Sequence, residues 1–284
     1  MTDPEALWAR VLELAARGRY STSPNPRVGA LLVDEGGTVV GEGFHDRAGS
    51  SHAEVEALRA AGARARGATL LVNLEPCASY GRTPPCTEAL IAAGIRRVVC
   101  SLEDPDLRTA GRGVGRLREH GIEVDVGASA EAAARLNETF LLSERERRPF
   151  VHLKWAASLD GRIATPGGAS KWITGEEART DALRLREEHD AVLVGAGTVL
   201  ADDPLLTRRL GLNRSIVPHR RLVLDGALRV APSARVFASG PGEAWLVTAA
   251  PPDDPRLVPF RTGGVRVESL PGPGEGVDLG ALLE

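Results

Sequence analysis

The chain has 284 residues, enough at about 150 per domain for two separate cores. Its 35 basic and 38 acidic residues leave a net charge of −3, which offers no bulk attraction to nucleic acid or an anionic membrane. Hydrophobic residues make up 43% and charged residues 26%, too apolar for disorder, and no run approaches the ~20 apolar residues of a membrane span. Three cysteines, Cys77, Cys86 and Cys100, are too few and too odd in number for a secreted disulfide framework. The first residues lack a signal peptide's basic and apolar regions, so the reading is a cytoplasmic protein. Lys154 and Lys171 are the two lysines on a chain otherwise supplied with arginine.

Asp3-Pro4 reads as an N-cap and first-turn proline, and Trp8, Val11, Leu12, Leu14 and Ala15 keep helical spacing until Gly18. Apolar runs 28–33 and 38–40 flank Asp-Glu-Gly-Gly and predict a β-hairpin. Next come a helix over 52–64, a strand over 69–74, a helix opened by Thr83-Pro84-Pro85, and a strand over 97–102. Glycine-rich Ala110-Gly-Arg-Gly113 precedes a helix over 114–120, a strand over 122–126 and a helix over 129–142. Strands alternating with helices predict an α/β domain with one antiparallel hairpin in a mixed sheet. The charged run Ser143-Glu-Arg-Glu-Arg-Arg-Pro149 marks a boundary, giving domains 1–146 and 147–284. The second stretch reads as α/β too. Its strands are expected over 150–156, 191–195, 221–224, 244–248 and 265–267, with a helix over 176–188 and the start of another over 277–284.

The chemistry of the first half lies in His52-Ala-Glu54, Pro76-Cys77 and Cys86. One histidine and two cysteines supply three zinc ligands and leave the fourth tetrahedral position to water. Zinc lowers the pKa of that water toward neutrality, and Glu54 is close enough in sequence to move protons without being a ligand. This grouping is the signature of the zinc nucleobase deaminases. A structural zinc site would recruit a fourth Cys or His, and none lies beside these three. Cys100, inside Val98-Val-Cys-Ser, reads as a buried strand residue.

Spacing narrows the class. The loop Cys77-Ala-Ser-Tyr-Gly-Arg-Thr-Pro-Pro-Cys86 is longer than the Cys-x-x-Cys of cytidine and tRNA-adenosine deaminases. It resembles the deaminase half of the bifunctional riboflavin-biosynthesis deaminase/reductases. So do Ser23-Pro-Asn-Pro-Arg-Val-Gly29, Gly41-Glu-Gly-Phe-His45, Ala48-Gly, Asp104-Pro and Ala110-Gly-Arg-Gly113. The resemblance covers about 6–145 and implies a cytidine-deaminase-like α/β/α domain in which Asn25, His45 and Arg82 contact a pyrimidine nucleotide. Read alone, Asn25-Pro26 is a turn and His45 a surface residue. Ala78-Ser79-Tyr80 stands where the family usually carries Ser-His after the first cysteine.

In the second half, Lys154-Trp-Ala-Ala-Ser-Leu-Asp-Gly-Arg-Ile-Ala164, Ser170-Lys-Trp-Ile-Thr-Gly175 and Val194-Gly-Ala-Gly-Thr-Val-Leu-Ala-Asp-Asp-Pro-Leu-Leu-Thr207 resemble the reductase half of the same family. The resemblance implies a dihydrofolate-reductase-like α/β fold using NADPH. Ala156, Trp172, Thr198 and Asp202 would bind the cofactor. Ser170, Arg186, Leu206 and Arg209 would bind the substrate, the arginines facing its phosphate, and Lys154 would lie near the reacting sugar. Gly195-Ala-Gly197 lacks the third glycine of a dinucleotide fingerprint, and Gly226 stands where the family often has serine. The family continues into a strand carrying Glu-Gly-Gly. This sequence ends at Glu284, so the reading is a reductase domain truncated at its C-terminus.

The function so implied is hydrolytic deamination of 2,5-diamino-6-ribosylamino-pyrimidinone 5'-phosphate, followed by NADPH reduction of the ribosyl group to ribityl. The alternative is a deaminase alone, with an inactive truncated reductase domain. The resemblance also suggests a homo-oligomer. A nucleic-acid deaminase fits poorly, because the acidic balance and 4% aromatics supply neither a basic track nor stacking platforms.

Overall fold

The computed structural model describes residues 3–80, 84–106, 110–238, 240, 242–274 and 276–284. They fall into two compact units: 1–150 with 214–216, and 151–213 with 217–284.

The first unit runs α1 (Pro4–Ala16), β1 (Gly29–Val33), β2 (Val39–Phe44), α2 (Ala53–Ala61), β3 (Thr69–Val72), α3 (Cys86–Ala93), β4 (Arg97–Cys100), α4 (Arg112–Glu119), β5 (Glu123–Val126), α5 (Ala130–Leu136) and α6 (Glu138–Glu146). Its sheet has the order β2-β1-β3-β4-β5. β1 is antiparallel to both neighbours, and β3, β4 and β5 are parallel. β1, Gly-Ala-Leu-Leu-Val, is buried along its length because helices cover both faces. On one side Val11 and Leu14 of α1 pack with Leu31, Val33 and Leu71. On the other, Ala53, Ala57, Leu90 and Leu117 from α2, α3 and α4 pack with Ala30, Leu32, Leu70, Val72 and Val98. The result is the expected three-layer α/β/α domain with a mixed sheet.

Two glycines of β2 bring α2 close. A Cβ at Gly43 would stand 2.2 Å from the carbonyl oxygen of Ala53, and one at Gly41 2.3 Å from that of Ala57. Only a strand bare of side chains at these two points admits the helix backbone. The N-terminus of α2, which carries His52 and Glu54, is thereby set against the sheet.

The helix expected over 129–142 is two helices. Asn137 breaks it and turns its amide to the chain before β1, accepting from Arg27 N at 2.8 Å and donating to Arg27 O at 2.9 Å. Buried Asn73 grips the same stretch, accepting from Gly29 N at 2.8 Å and donating to Arg27 O at 2.9 Å.

The second unit contains α7 (Glu176–Glu188), β6 (Ala191–Gly195), α8 (Ala196–Asp202), β7 (Arg220–Leu224), β8 (Glu243–Thr248), α9 (Val258–Thr262), β9 (Arg266–Ser269) and α10 (Leu279–Leu283). Its four strands are parallel, in the order β6-β7-β8-β9. Ala196 and Val199 of α8 pack with Val223, Val236, Phe237, Leu246, Leu257 and Phe260 to form its core. The strand expected over 150–156 is not formed. Its alternating side chains Val151, Leu153 and Trp155 are 57%, 75% and 67% exposed, and among the described residues no strand pairs with it. Alternation alone does not make a strand, which exists through its ladder partner. α8 is the converse, a helix the glycine-flanked sequence did not signal. No helix of the described residues is long and apolar enough to cross a membrane.

Gly43→Ala will force α2 off β2, costing about 1–3 kcal/mol as overpacking. A lowered thermal midpoint together with reduced ammonia release is expected; unchanged stability would contradict this account of the α2–β2 contact.

Candidate functional site

His52 is the N-cap of α2 and Cys86 the first residue of α3. Cys77 lies on the chain leaving β3 and is held by the start of α3: Cys86 N donates to its sulfur at 3.3 Å and Thr87 N to its carbonyl at 3.2 Å. Nδ1 of His52 stands 3.1 Å from Sγ of Cys86 and 3.5 Å from Sγ of Cys77. All three ligand atoms fall within 4.8 Å of one another. In a tetrahedral zinc site with ordinary bond lengths, nitrogen and sulfur ligands lie about 3.5 Å apart, so this donor set fits the ion.

The electrostatics favour a cation. The Cys77 thiol is drawn down from its ordinary value, first by its hydrogen bond with Cys86 and, against burial, by His52 and the Cys86 N–H. Cys86 is pushed up by that same bond and by burial. One thiolate therefore forms readily and the second needs a positive charge, which a metal provides. Glu54, in the first turn of α2, is almost wholly buried. Burial pushes its carboxyl up, against the pull of His52, so it can retain a proton that an exposed carboxylate would release.

His45, which read alone is a surface residue, is buried. Its ring meets that of His52 edge-on with centroids 5.4 Å apart. Nδ1 donates to Ser51 O at 3.1 Å, which leaves Nε2 to accept from Nδ2 of Asn25 at 3.1 Å. Burial also lowers the His45 pKa, keeping the ring neutral. Asn25 and His45 are thus joined beside His52, and the Asn73–Asn137 grip on Arg27 steadies the loop that carries Asn25. Arg82 lies outside the described residues. Cys100 is buried in β4, and burial pushes its thiol up to about 12.

The second group of expected site residues is less gathered. Arg186 on α7 donates to Thr207 O at 3.3 Å, and burial and the nearby Arg209 lower its pKa. The charge of Glu187 offsets part of that lowering, and Arg209 is exposed. Leu206, buried, has φ +55° in the loop between them. Asp202, the last residue of α8, is 3.8 Å from Nζ of Lys171. Trp172 lies under the Arg179 guanidinium at 4.6 Å from its ring centre. Thr198 is exposed on α8, and Lys154, Ala156 and Ser170 lie on the irregular stretch before α7. Among the described residues no hydrogen bond or ion pair joins Lys154, Ala156 or Ser170 to Trp172, Thr198 or Asp202.

Two buried glutamates, Glu75 of the Glu-Pro-Cys motif and Glu187, have roles that the sequence does not reveal. Glu187 accepts from Arg209 N at 2.9 Å, Leu210 N at 2.8 Å and Asn213 N at 3.1 Å, folding the loop that presents Arg209. Burial raises its carboxyl, but these three donors outweigh that and hold it below the ordinary value. Glu75 does the corresponding work two residues before Cys77. A glutamate beside a ligand or at a helix end was the only sequence signal for either.

A thiol and an imidazole at two helix N-termini and a second thiol on the turn after β3, against a mixed sheet between helical layers, define the cytidine-deaminase-like class of zinc hydrolases, here joined to a second α/β unit. The family described as the cytidine and deoxycytidylate deaminase zinc-binding region matches residues 1–102, and the RibD C-terminal domain family matches 149–284. The riboflavin biosynthesis protein RibD of Escherichia coli K12 is 48% identical over 252 residues, covering 85% of this chain and 68% of the relative. That of Aquifex aeolicus is 47% identical over 265 residues, covering 92% and 72%. Among solved structures, Acinetobacter baumannii RibD matches with TM-score 0.84 at 42% identity, covering 97% of this chain and 74% of that one. The Thermotoga maritima diaminohydroxyphosphoribosylaminopyrimidine deaminase/5-amino-6-(5-phosphoribosylamino)uracil reductase matches with TM-score 0.79 at 39% identity, covering 94% and 80%. The chain belongs to the RibD family, bifunctional enzymes of riboflavin biosynthesis that join a zinc-dependent deaminase to an NADPH-dependent, dihydrofolate-reductase-like domain.

Asp104, on the stretch after β4, has its carboxyl pushed up to about 6, first by burial and then, against the Asp106 N–H, by the charges of Asp106, Glu75 and Glu144. A carboxyl that holds its proton more tightly folded than unfolded stabilises most at low pH and loses that contribution as pH rises through about 6. Asp104→Asn should therefore raise the thermal midpoint at pH 7.5, with the gain shrinking as pH falls to 5. A gain independent of pH would refute this.

Proposed function

We propose that residues 1–146 deaminate 2,5-diamino-6-ribosylamino-pyrimidinone 5'-phosphate and that residues 147–284 belong to the domain reducing the product's ribosyl group to ribityl. The convergence of His52, Cys77 and Cys86 beside buried Glu54 carries the first half of this reading. The three side chains would hold Zn²⁺, which when bound supplies an acidified water at neutral pH. Glu54 takes up a proton and returns it to the amino nitrogen that departs as ammonia, a role suited to a carboxyl whose burial raises its pKa. Asn25 and His45 would meet the pyrimidine edge. His45 keeps the Asn25 amide in place through Nε2, leaving the Asn25 carbonyl oxygen for the ring. Arg82 would receive the phosphate.

In the second unit, Arg186 and Arg209 would bind the substrate phosphate; the charge of Arg209 lowers the Arg186 pKa, a repulsion that an anion between them would relieve. Leu206 and Ser170 would flank the sugar, and Lys154 would approach its reacting carbon. Ala156, Trp172, Thr198 and Asp202 would hold NADPH, which supplies hydride. The reading includes a cytoplasmic setting, where metal-binding thiols stay reduced. It also includes a homo-oligomer, supported by the exposed Val151, Leu153 and Trp155.

Ammonia release from the diaminopyrimidinone ribotide tests the first half. Glu54→Ala should lower kcat by about 10²–10⁴-fold with zinc retained, the usual range for a lost acid–base group. Activity persisting at the wild-type rate would remove Glu54 from the mechanism. NADPH oxidation with the deaminated product, lost in Arg186→Ala, tests the second; oxidation unaffected by that change would move the phosphate elsewhere.

A further inference from the structure

The segment around Asp104-Pro105 and Ala110-Gly-Arg-Gly113 supplies no ligand and none of the groups assigned above, yet it is bound tightly to the metal-ligand turn. Glu75, almost wholly buried, stands between β3 and Cys77. Its backbone N–H donates to Leu102 O at 2.9 Å. Oε2 accepts from Asp104 N at 3.1 Å and Gly111 N at 3.0 Å, and Oε1 accepts from Val114 N at 2.9 Å. These donors flank and include the first turn of α4, whose free N–H groups suit a carboxylate. The next residue is gripped as well. A Cβ at Gly113 would lie 2.0 Å from Pro76 O and 3.1 Å from Oε1 of Glu75, so α4 approaches the Pro76 backbone as closely as a glycine permits.

We infer that Glu75 is a positioning residue of the deaminase. It ties the Pro76–Cys77 turn to residues 102–106 and 110–114, so that retention of the metal and order of those residues are linked. This rests on the reading that His52, Cys77 and Cys86 hold zinc. The physical reason is directional. Cys77 belongs to no helix or strand, and its sulfur is placed by the start of α3 on one side and by Glu75 and Pro76 on the other. Both oxygens of Glu75 are committed to backbone donors, so a rotation of the turn would break three hydrogen bonds together. By linkage, whatever holds the turn in its metal-binding geometry is itself held by the metal to the same degree.

Glu75→Gln keeps the size of the side chain but replaces one acceptor oxygen with an NH₂ group that must face backbone N–H donors. Groups that orient metal ligands typically change affinity 10–100-fold when altered. Zinc release into excess chelator, followed well below the thermal midpoint, should therefore be about 10-fold or more faster in Glu75→Gln, and faster also in Gly113→Ala. A purely structural role would lower the midpoint and leave the release rate alone.

The wild-type protein gives a test that needs no variant. Amide hydrogen exchange at Asp104, Gly111 and Val114 should quicken about 10-fold when zinc is removed. The increase should exceed that at Val98 and Val99 of β4, while Leu210 and Asn213, bound by Glu187 in the second unit, stay unchanged. If wild-type protein purified with zinc available holds none, the ligand reading fails. If it holds zinc but these three amides exchange alike with and without metal, or quicken only as much as β4, the positioning role of Glu75 is overturned. Wild-type release from a folded Glu75→Gln protein overturns it too.

Discussion

Two helix N-termini and one turn must bring a nitrogen and two sulfurs within 4.8 Å, and the organisation of the first unit follows from that requirement. α2 lies on β2 at backbone contact because Gly41 and Gly43 offer nothing to hold it away. α3 begins on Cys86 itself and uses its first two N–H groups on Cys77. The parallel strands β3 and β4 bring the chain to the same edge of the sheet, where Glu75 fastens the turn to the start of α4. The helix ends that favour thiolate also favour developing negative charge on an attacking oxygen, so one arrangement serves both metal retention and hydrolysis.

Most of this was legible in the amino-acid sequence because the signals are local. The hairpin, the short apolar strands and the helices bounded by proline and glycine fall within a few residues of where periodicity puts them. The His-x-Glu and Pro-Cys motifs point to the side chains that the fold brings together. What escaped is long-range. The split at Asn137 depends on a hydrogen bond to Arg27, 110 positions away, and no helix propensity reveals it. His45 becomes buried only through its place against His52 and Asn25. Glu75 and Glu187 look like ordinary surface carboxylates until the loops whose N–H groups they collect have folded around them.

The second unit teaches the complementary lesson. The apolar stretches 191–194, 222–224 and 244–247 pair as parallel strands, and α8 forms despite Gly197 because Ala196 and Val199 reach the core. Residues 150–156 alternate correctly yet find no ladder partner among the described residues. The residues proposed for the reductase site are spread over α7, α8 and irregular chain, with chemistry that neither spacing nor charge exposes. There the resemblance to the family carried the reading, and the repulsion of Arg186 by Arg209 is the physical sign beside it.

X-ray absorption at the zinc edge of the purified protein addresses the centre of the account. The prediction is one zinc per chain with two sulfurs at about 2.3 Å and two lighter atoms at about 2.0–2.1 Å, the pattern of two cysteines, one histidine and an open position. A shell of nitrogen and oxygen alone, or one with a third sulfur, would contradict the ligand set of His52, Cys77 and Cys86 and the deamination built on it.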